Sequence, residues 1–281
     1  MHKILSTLLL ACASLAAQAA EGSAELRLYA LDCGRVEFDD LGAFSDTGEY
    51  DGHADTLMAS CFLIRHARGT LLWDAGLGDQ LAALAEGSRA KIMHSTMTQK
   101  VPVSLRSQLQ SLGLDFDRID YFAFSHGHLD HLGNANALTR AKWIINRREQ
   151  AWIGQTPAPP RTDTRLIVGA RRADTITIDR DHDVFGDGTV RILSTPGHTP
   201  GHQVLLVKLP RTGPVLLSGD LYHTHDNRAG RRMPVFNVDR ADTLASMDRI
   251  EKIVANLEAH VVIQHSIEDF RALPKLPGYL D

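Results

Sequence analysis

Residues 126–131, His126-Gly127-His128-Leu129-Asp130-His131, place three histidines and an aspartate within six positions. His126 and His128 stand two apart, so on an extended segment both imidazoles point the same way. Asp130 and His131 follow on a loop and offer a carboxylate and a third imidazole to a neighbouring position. Zinc and related divalent metals take both ligand types at short range. The plain alternative is a polar loop that is rich in histidine by accident. The rest of the chain argues against it. Thr195-Pro196-Gly197-His198-Thr199-Pro200-Gly201-His202 also leaves an apolar, strand-like run, and so do Ser218-Gly219-Asp220 and Gln264-His265. Four strand ends each deliver a metal-type side chain, which unrelated accidents would not arrange. A structural zinc site would be closed and rich in cysteine, and no cysteine lies in these motifs.

Each motif needs an element to hold it. Residues 120–124 read as a short buried strand whose exit is the histidine run. Residues 25–33 alternate apolar and polar side chains, as a half-buried strand does. Residues 57–66 and 70–73 read as a hairpin that turns at Ala67-Arg68-Gly69 and closes in Asp74-Ala75-Gly76. Further strands are expected at 143–145, 175–178, 190–194, 203–208, 215–218 and 260–264. Helices are expected at 79–86, 104–112 and 147–153, with another starting over 132–138. Asp239 caps one more helix, with Leu244, Met247, Ile250, Val254 and Leu257 on one face. That stripe reads as core packing. Two irregular stretches remain: 34–55, which carries Phe38, Phe44 and Tyr50, and a loop that carries Met93, His94 and Met97. No internal repeat or linker divides the chain. Strands and helices alternate in both halves, which predicts one layered α/β domain.

The 281 residues suffice for one large domain or two small ones. A net charge of −4 and the lack of a long basic run exclude a nucleic-acid partner. Met1-His2-Lys3, an apolar run to Ala17 and the Ala17-Gln18-Ala19 pattern predict a secretory leader over 1–19. The mature domain is then 20–281, in the periplasm or secreted. Leu9-Leu10-Ala11-Cys12 competes weakly as a lipidation signal, because Leu10 fits that pattern poorly. No other segment approaches a membrane span. Removal of the leader leaves Cys33 and Cys61. An oxidising compartment lets them pair, and free buried thiols fit their apolar stretches too.

The ordered motifs, from Asp74-Ala75-Gly76 to Gln264-His265, resemble the metallo-β-lactamase superfamily over nearly the whole mature chain. The resemblance implies an αβ/βα sandwich, two central sheets flanked by helices, with metals at one edge. It implies that His126, His128 and His198 bind one metal and that Asp130, His131 and His265 bind a second. Asp220 would bridge the two, and His202 would hold its own loop. Two divalent metals follow, zinc by default, although manganese, iron and cobalt suit the same ligands. Seven such ligands leave an open position on each metal, as catalysis requires.

Within the superfamily, diiron redox members carry glutamate where this chain has His128. Metallo-β-lactamases proper generally lack a bridging aspartate. Hydroxyacylglutathione hydrolases carry a helical region beyond the last ligand, where this chain has a short tail after His265. Nuclease branches need basic surfaces. What remains looks like the acyl-homoserine lactonase group. A related exported branch acts on organophosphate esters and shares the Pro-Gly-His-Thr-Pro-Gly-His run. Two positions depart from the lactonase pattern. His223 stands where a tyrosine is common, with Tyr222 one residue earlier, and Ser266 follows the last ligand in place of aspartate.

The resemblance therefore implies an exported dinuclear hydrolase that opens lactone or ester bonds. N-acyl-homoserine lactones come first (quorum quenching), attacked by a hydroxide shared between the metals. Asp130 would also take the proton and pass it on, and Tyr222 or His223 would hydrogen-bond the carbonyl. Phe38 and Phe44 either line an acyl-chain groove or anchor a surface loop. Organophosphate triesters and β-lactams are the alternative substrates, and a non-catalytic metal-binding protein is the reading from another class. The implied partner is a small lactone or ester, and a homodimer is left open.

Overall fold

The computed structural model describes residues 26–281, so the leader expected at 1–19 and the question of Cys12 lie outside the described residues. The first sheet contains β1 (Arg27–Phe38), β2 (Asp55–His66), β3 (Gly69–Trp73), β4 (Ser88–Ile92), β5 (Ser95–Lys100), β6 (Tyr121–Ala123), β7 (Lys142–Asn146) and β8 (Thr175–Ile178). Their spatial order is β4-β5-β1-β2-β3-β6-β7-β8. The second sheet contains β9 (His182–Asp183), β10 (Val190–Ser194), β11 (Gln203–Leu209), β12 (Gly213–Leu217) and β13 (His260–Val262), in the order β13-β12-β11-β10-β9.

The central strands are apolar on both faces because both faces are covered. Along β2, Phe62 and Ile64 face the other sheet, whereas Cys61 and Leu63 face outward, as the two-residue period requires. Trp73, Ala123 and Ile144 of the first sheet meet Ile192, Leu205, Val215 and Leu217 of the second in the core between them. Outside the first sheet, Leu105 and Leu109 of the helix Leu105–Ser111 pack on that outer face. Outside the second sheet, the helix Arg240–Leu257 buries Met247 and Ile250 and half-buries Leu244, Val254 and Leu257. Asp239 caps that helix by accepting the Asp242 N–H. The layers are helix, sheet, sheet, helix, as the αβ/βα expectation has it.

Strand direction brings the motifs together. β3 and β6 are parallel, and β12 and β13 are parallel. β10 reaches β12 through two antiparallel pairings, so it runs the same way as β12. The C-terminal ends of these strands lead into Asp74, His126, His198, Asp220 and His265.

Some expectations needed correction. The irregular stretch around Met93 is the β4–β5 hairpin. β4 is the edge strand and mostly exposed, so it has no apolar alternation to read. The helix expected at 79–86 is a short 3-10 turn, Asp79–Ala83, and the tail contains a helix at Ile267–Ala272. β1 runs on to Phe38 because Val36 and Phe38 bury against Leu41, Phe44 and Leu57. Among the described residues, no helix is long and apolar enough to cross a membrane.

Cys33 and Cys61 form a disulfide, with 5.7 Å between their Cα atoms. They lie diagonally across the β1–β2 pair, beside a register shift between Asp32 and Arg35. Closing a loop of this length stabilises the fold by about 3–4 kcal/mol. Gly76 rests on the bond with φ +56, and a Cβ there would lie 2.1 Å from Cys33 Cβ. Only glycine fits that position.

Candidate metal centre

From β6 the chain passes Ser125 into His126, and His128 precedes a single helical turn, Leu129–Leu132, that carries Asp130 and His131. Ligand atoms of His126, His128, His198 and Asp220 all lie within 4.8 Å of one another, and so do those of Asp130, His131 and His265. His128 joins through Nδ1, which lies 2.8 Å from His126 Nε2 and 3.1 Å from His198 Nε2. Asp220 stands between the two groups. Its Oδ1 lies 3.1 Å from His131 Nε2 and 2.9 Å from His265 Nε2. Its Oδ2 lies 3.2 Å from His198 Nε2 and 3.5 Å from His126 Nε2. One oxygen thus faces each cluster, which is what a bridging carboxylate needs.

The electrostatics fit a pair of cations. Burial holds His126 and His128 well below the usual histidine pKa and holds His198 below it, so all three are neutral. Neutral imidazole is the metal-binding form. Burial acts the same way on His131 and His265. There Asp220 outweighs it, helped by Asp74 and Asp130 on His131 and by Asp130 on His265, and both pKa values rise. Burial also works against the charge on Asp220, but His265, His126, His131 and His223 prevail and keep it ionised. His131 Nε2 is buried with no hydrogen-bond partner, although Asp220 and Asp130 lie on its side. A divalent cation there would satisfy that nitrogen and displace the protons of the second cluster.

A buried frame holds the ligands. Asp74, fully buried, accepts from Ser125 N at 2.6 Å and from Gln264 Nε2 at 2.8 Å, and its Oδ2 lies 3.0 Å from His131 Nδ1. Gln264 Oε1 accepts from Trp73 Nε1 and Gly219 N, both at 2.9 Å, which ties the β3 end to the Asp220 turn. His202 Nε2 accepts from Asp220 N at 2.9 Å, so His202 positions the bridge from outside both clusters.

Glu149 supports both histidine loops from the helix Arg147–Ile153. It accepts from Gly127 N at 2.7 Å, Thr199 Oγ1 at 2.8 Å and Gly201 N at 2.9 Å. Burial outweighs these bonds and pushes its pKa up from 4.5 to about 7. A folded pKa above the unfolded one means that the folded state holds the proton more tightly. This contribution to stability is full below about pH 4.5 and is lost as pH rises through about 7, a span of about 3 kcal/mol. In urea titrations of the metal-free protein from about pH 5 to about pH 8, Glu149→Gln should flatten that decline. An identical pH slope in the variant would refute the assignment.

Tyr222 does not reach the centre. Its hydroxyl donates to Glu251 Oε1 at 2.7 Å, and its ring packs with Met247 and Ile250 outside the second sheet. The backbone at Tyr222 is extended, so neighbouring side chains point opposite ways and His223 takes the inner side. The expectation that Tyr222 contacts substrate is corrected accordingly. His223 Nε2 lies 3.0 Å from Asp220 Oδ2, and its ring stacks on His265 with centroids 5.4 Å apart.

Phe38 and Phe44 line a narrow cavity of about 60 Å³ with Asp130, Asp220, His223 and His265. Phe44 meets His223 edge-on at 5.2 Å. Tyr50 instead bonds Thr224 Oγ1 at 2.9 Å and anchors its loop. A wider cavity of about 600 Å³ adjoins the other side of His223 and His265, along Leu57, Thr224, Ser266 and Arg271. Sequence reading passed over Glu149, Arg161 and Phe236, none of which sits in a motif, and it quoted Asp74 and Gln264 without giving them a role.

Residues 54–265 match the family model described as the Metallo-beta-lactamase superfamily. The N-acyl homoserine lactonase AttM of Azorhizobium caulinodans is 29% identical over 269 residues, covering 92% of this chain and 99% of that protein. The N-acyl homoserine lactonase AiiA of Bacillus thuringiensis subsp. kurstaki is 25% identical over 256 residues, covering 90% of this chain and 98% of that protein. A solved N-acyl homoserine lactone hydrolase with N-hexanoyl-L-homoserine bound at its catalytic metal centre aligns with TM-score 0.77 at 25% identity, covering 90% and 98% of the two chains. A B. thuringiensis AiiA mutant with N-decanoyl-L-homoserine at its active site aligns with TM-score 0.77 at 26% identity, also covering 90% and 98%.

Proposed function

The chain belongs to the metallo-beta-lactamase superfamily, and from that premise we propose that it is a dinuclear metal-dependent hydrolase that opens N-acyl-homoserine lactones. The carrying observation is Asp220, with one oxygen turned to each cluster, in a chain similar over 92% of its length to such a lactonase. In this reading His126, His128 and His198 hold one metal, Asp130, His131 and His265 hold the second, and Asp220 holds both. Zinc is the proposed metal, by the preference of an imidazole and carboxylate donor set. When bound, the pair supplies a water of lowered pKa and a Lewis acid for the carbonyl.

The protein's own groups do the rest. Asp130 is the one ligand of the seven that is only partly buried, so it is the ligand that can take a proton from the attacking water and pass it to a leaving alkoxide. Burial brings the pKa of His223 down to about 4, so the ring is neutral at working pH. Its Nε2 hydrogen, turned to Asp220, can swing to a substrate carbonyl oxygen. Phe38 and Phe44 give the acyl chain an apolar wall. We further propose that the protein is exported to the periplasm or beyond, which the Cys33–Cys61 disulfide supports.

The test is ring opening of N-acyl-homoserine lactones by the metal-loaded protein, across short and long acyl chains. Hydrolysis that a chelator abolishes and metal restores is the expected result. Failure on every lactone would overturn the lactonase reading and turn attention to phosphotriesters and β-lactams. Elemental analysis of protein purified without added metal tests zinc.

A further inference from the structure

Arg161 lies among the acids and imidazoles of the narrow cavity, lining it with Asp130, Asp220, His223 and His265. Its guanidinium carbon sits 3.7 Å from the centre of the Phe236 ring and 5.9 Å from that of Phe44. Phe236 in turn stands against His128, His198 and His223, at 6.2, 5.9 and 6.1 Å between ring centroids. The cation is thus fixed one ring away from the first metal cluster. Among the described residues no carboxylate pairs with it, and its Nη1 is buried without a hydrogen-bond partner. The backbone at Arg161 is left-handed, φ +63, a conformation that costs a non-glycine residue and collects at ligand sites.

A buried guanidinium nitrogen with nothing to donate to is expensive. Asp130 and Asp220 are the acids that face it, and both are committed to the metal clusters. Once they hold metal, their negative charge is spent and Arg161 needs another acceptor. The cavity that Arg161 lines with Asp130, Asp220, His223 and His265 is where a planar oxygen group would meet the guanidinium. A lone carbonyl at the cleaved bond would be taken up at the metals and would not serve Arg161. A second oxygen, some atoms away, would.

We propose that Arg161 is a specificity residue that donates to a carbonyl oxygen remote from the cleaved bond. It would select lactones that carry an amide over plain aliphatic lactones. The inference rests on the lactonase reading and refines it. Packing on Phe236 is the competing role for Arg161, and the two make different predictions.

The experiment compares N-hexanoyl-homoserine lactone with an aliphatic γ-lactone of similar length that lacks the amide. Arg161→Met keeps the stem that covers Phe236 and removes the donors. Expected is a fall in kcat/KM of about 10- to 100-fold on the amide-bearing lactone, mostly through KM, the size of one charged hydrogen bond. The aliphatic lactone should change by less than about threefold, and metal content and melting temperature should match wild type. N-hexanoyl-homoserine, followed by calorimetry, should bind more weakly in parallel. Equal losses on both lactones, or no loss on either, would overturn the proposal in favour of packing. If Arg161→Met does not fold, Arg161→Leu, which also removes the donors, reads the same ratio, and wild-type discrimination there overturns it as well. A wild-type protein that opens neither lactone defeats the lactonase reading, and this inference falls with it. A wild type that opens both, with no discrimination lost in the variants, defeats this inference alone.

Discussion

Asp220→Asn should weaken metal binding at both positions and lower kcat/KM by at least about 10³-fold. The substitution preserves volume, so packing around the β12 exit is spared. What changes is the donor set. The carboxylate offers Oδ1 to His131 and His265 and Oδ2 to His198 and His126. An amide offers one oxygen, and its NH₂ must then face one pair of imidazoles, where it repels a cation and ligates nothing. In the metal-free protein the same change removes the strongest influence that keeps His131 and His265 protonated. His128→Ala is the informative comparison. His128 belongs to the first cluster alone, so that variant should lose the first metal and keep affinity for the second. Metal per chain by elemental analysis should therefore fall from about two to below one in Asp220→Asn, and to about one in His128→Ala. Retention of both metals by Asp220→Asn would remove the bridge from the mechanism.

The residues that proved legible in the sequence share a reason. A ligand must follow a strand that ends at the metal edge, so its type and its position carry the same signal. His126, His198, Asp220 and His265 could be read because each leaves an apolar run. The helix Arg147–Ile153 and the strands Thr175–Ile178 and Val190–Ser194 kept their expected bounds because apolar periodicity and clear breaks coincide there. The β4–β5 hairpin could not be read, since an exposed edge strand has no buried face to impose a pattern. Tyr222 and His223 could not be ranked, because one residue of phase at the end of a 3-10 turn decides which side chain faces the metals. Glu149 and Arg161 act through partners dozens of positions away, and a single sequence carries no mark of such contacts. The disulfide belongs with them: only the β1–β2 register brings Cys33 to Cys61.

Asp74 shows how far such hidden contacts reach, and Asp74→Ala should be the most destabilising single change around the centre. The carboxylate is fully buried and receives Ser125 N, Ser125 Oγ and Gln264 Nε2 as donors, with His131 Nδ1 at 3.0 Å. Alanine would strand these groups in the core, and the expected cost is about 3–5 kcal/mol, that of breaking a buried charged network. The left-handed backbone at Asp74, φ +59, adds to it, since aspartate tolerates that region better than alanine. A second consequence falls on the metals. His131 Nδ1–H donates to Asp74, which orients the ring and leaves Nε2, on the Asp220 side, as the nitrogen that would give up its proton to a metal. Without that anchor the ring is free to turn, and affinity at the second position should drop about 10- to 100-fold while the first is nearly spared. Asp74→Asn separates the two effects. It keeps the backbone preference and one acceptor oxygen, so it should recover much of the stability. Its NH₂ still opposes donors, so second-site affinity should stay low. Urea unfolding with a competing chelator titration reads both quantities. An alanine variant within about 1 kcal/mol of wild type, with both affinities intact, would mean that His131 is oriented by its helical turn and not by Asp74.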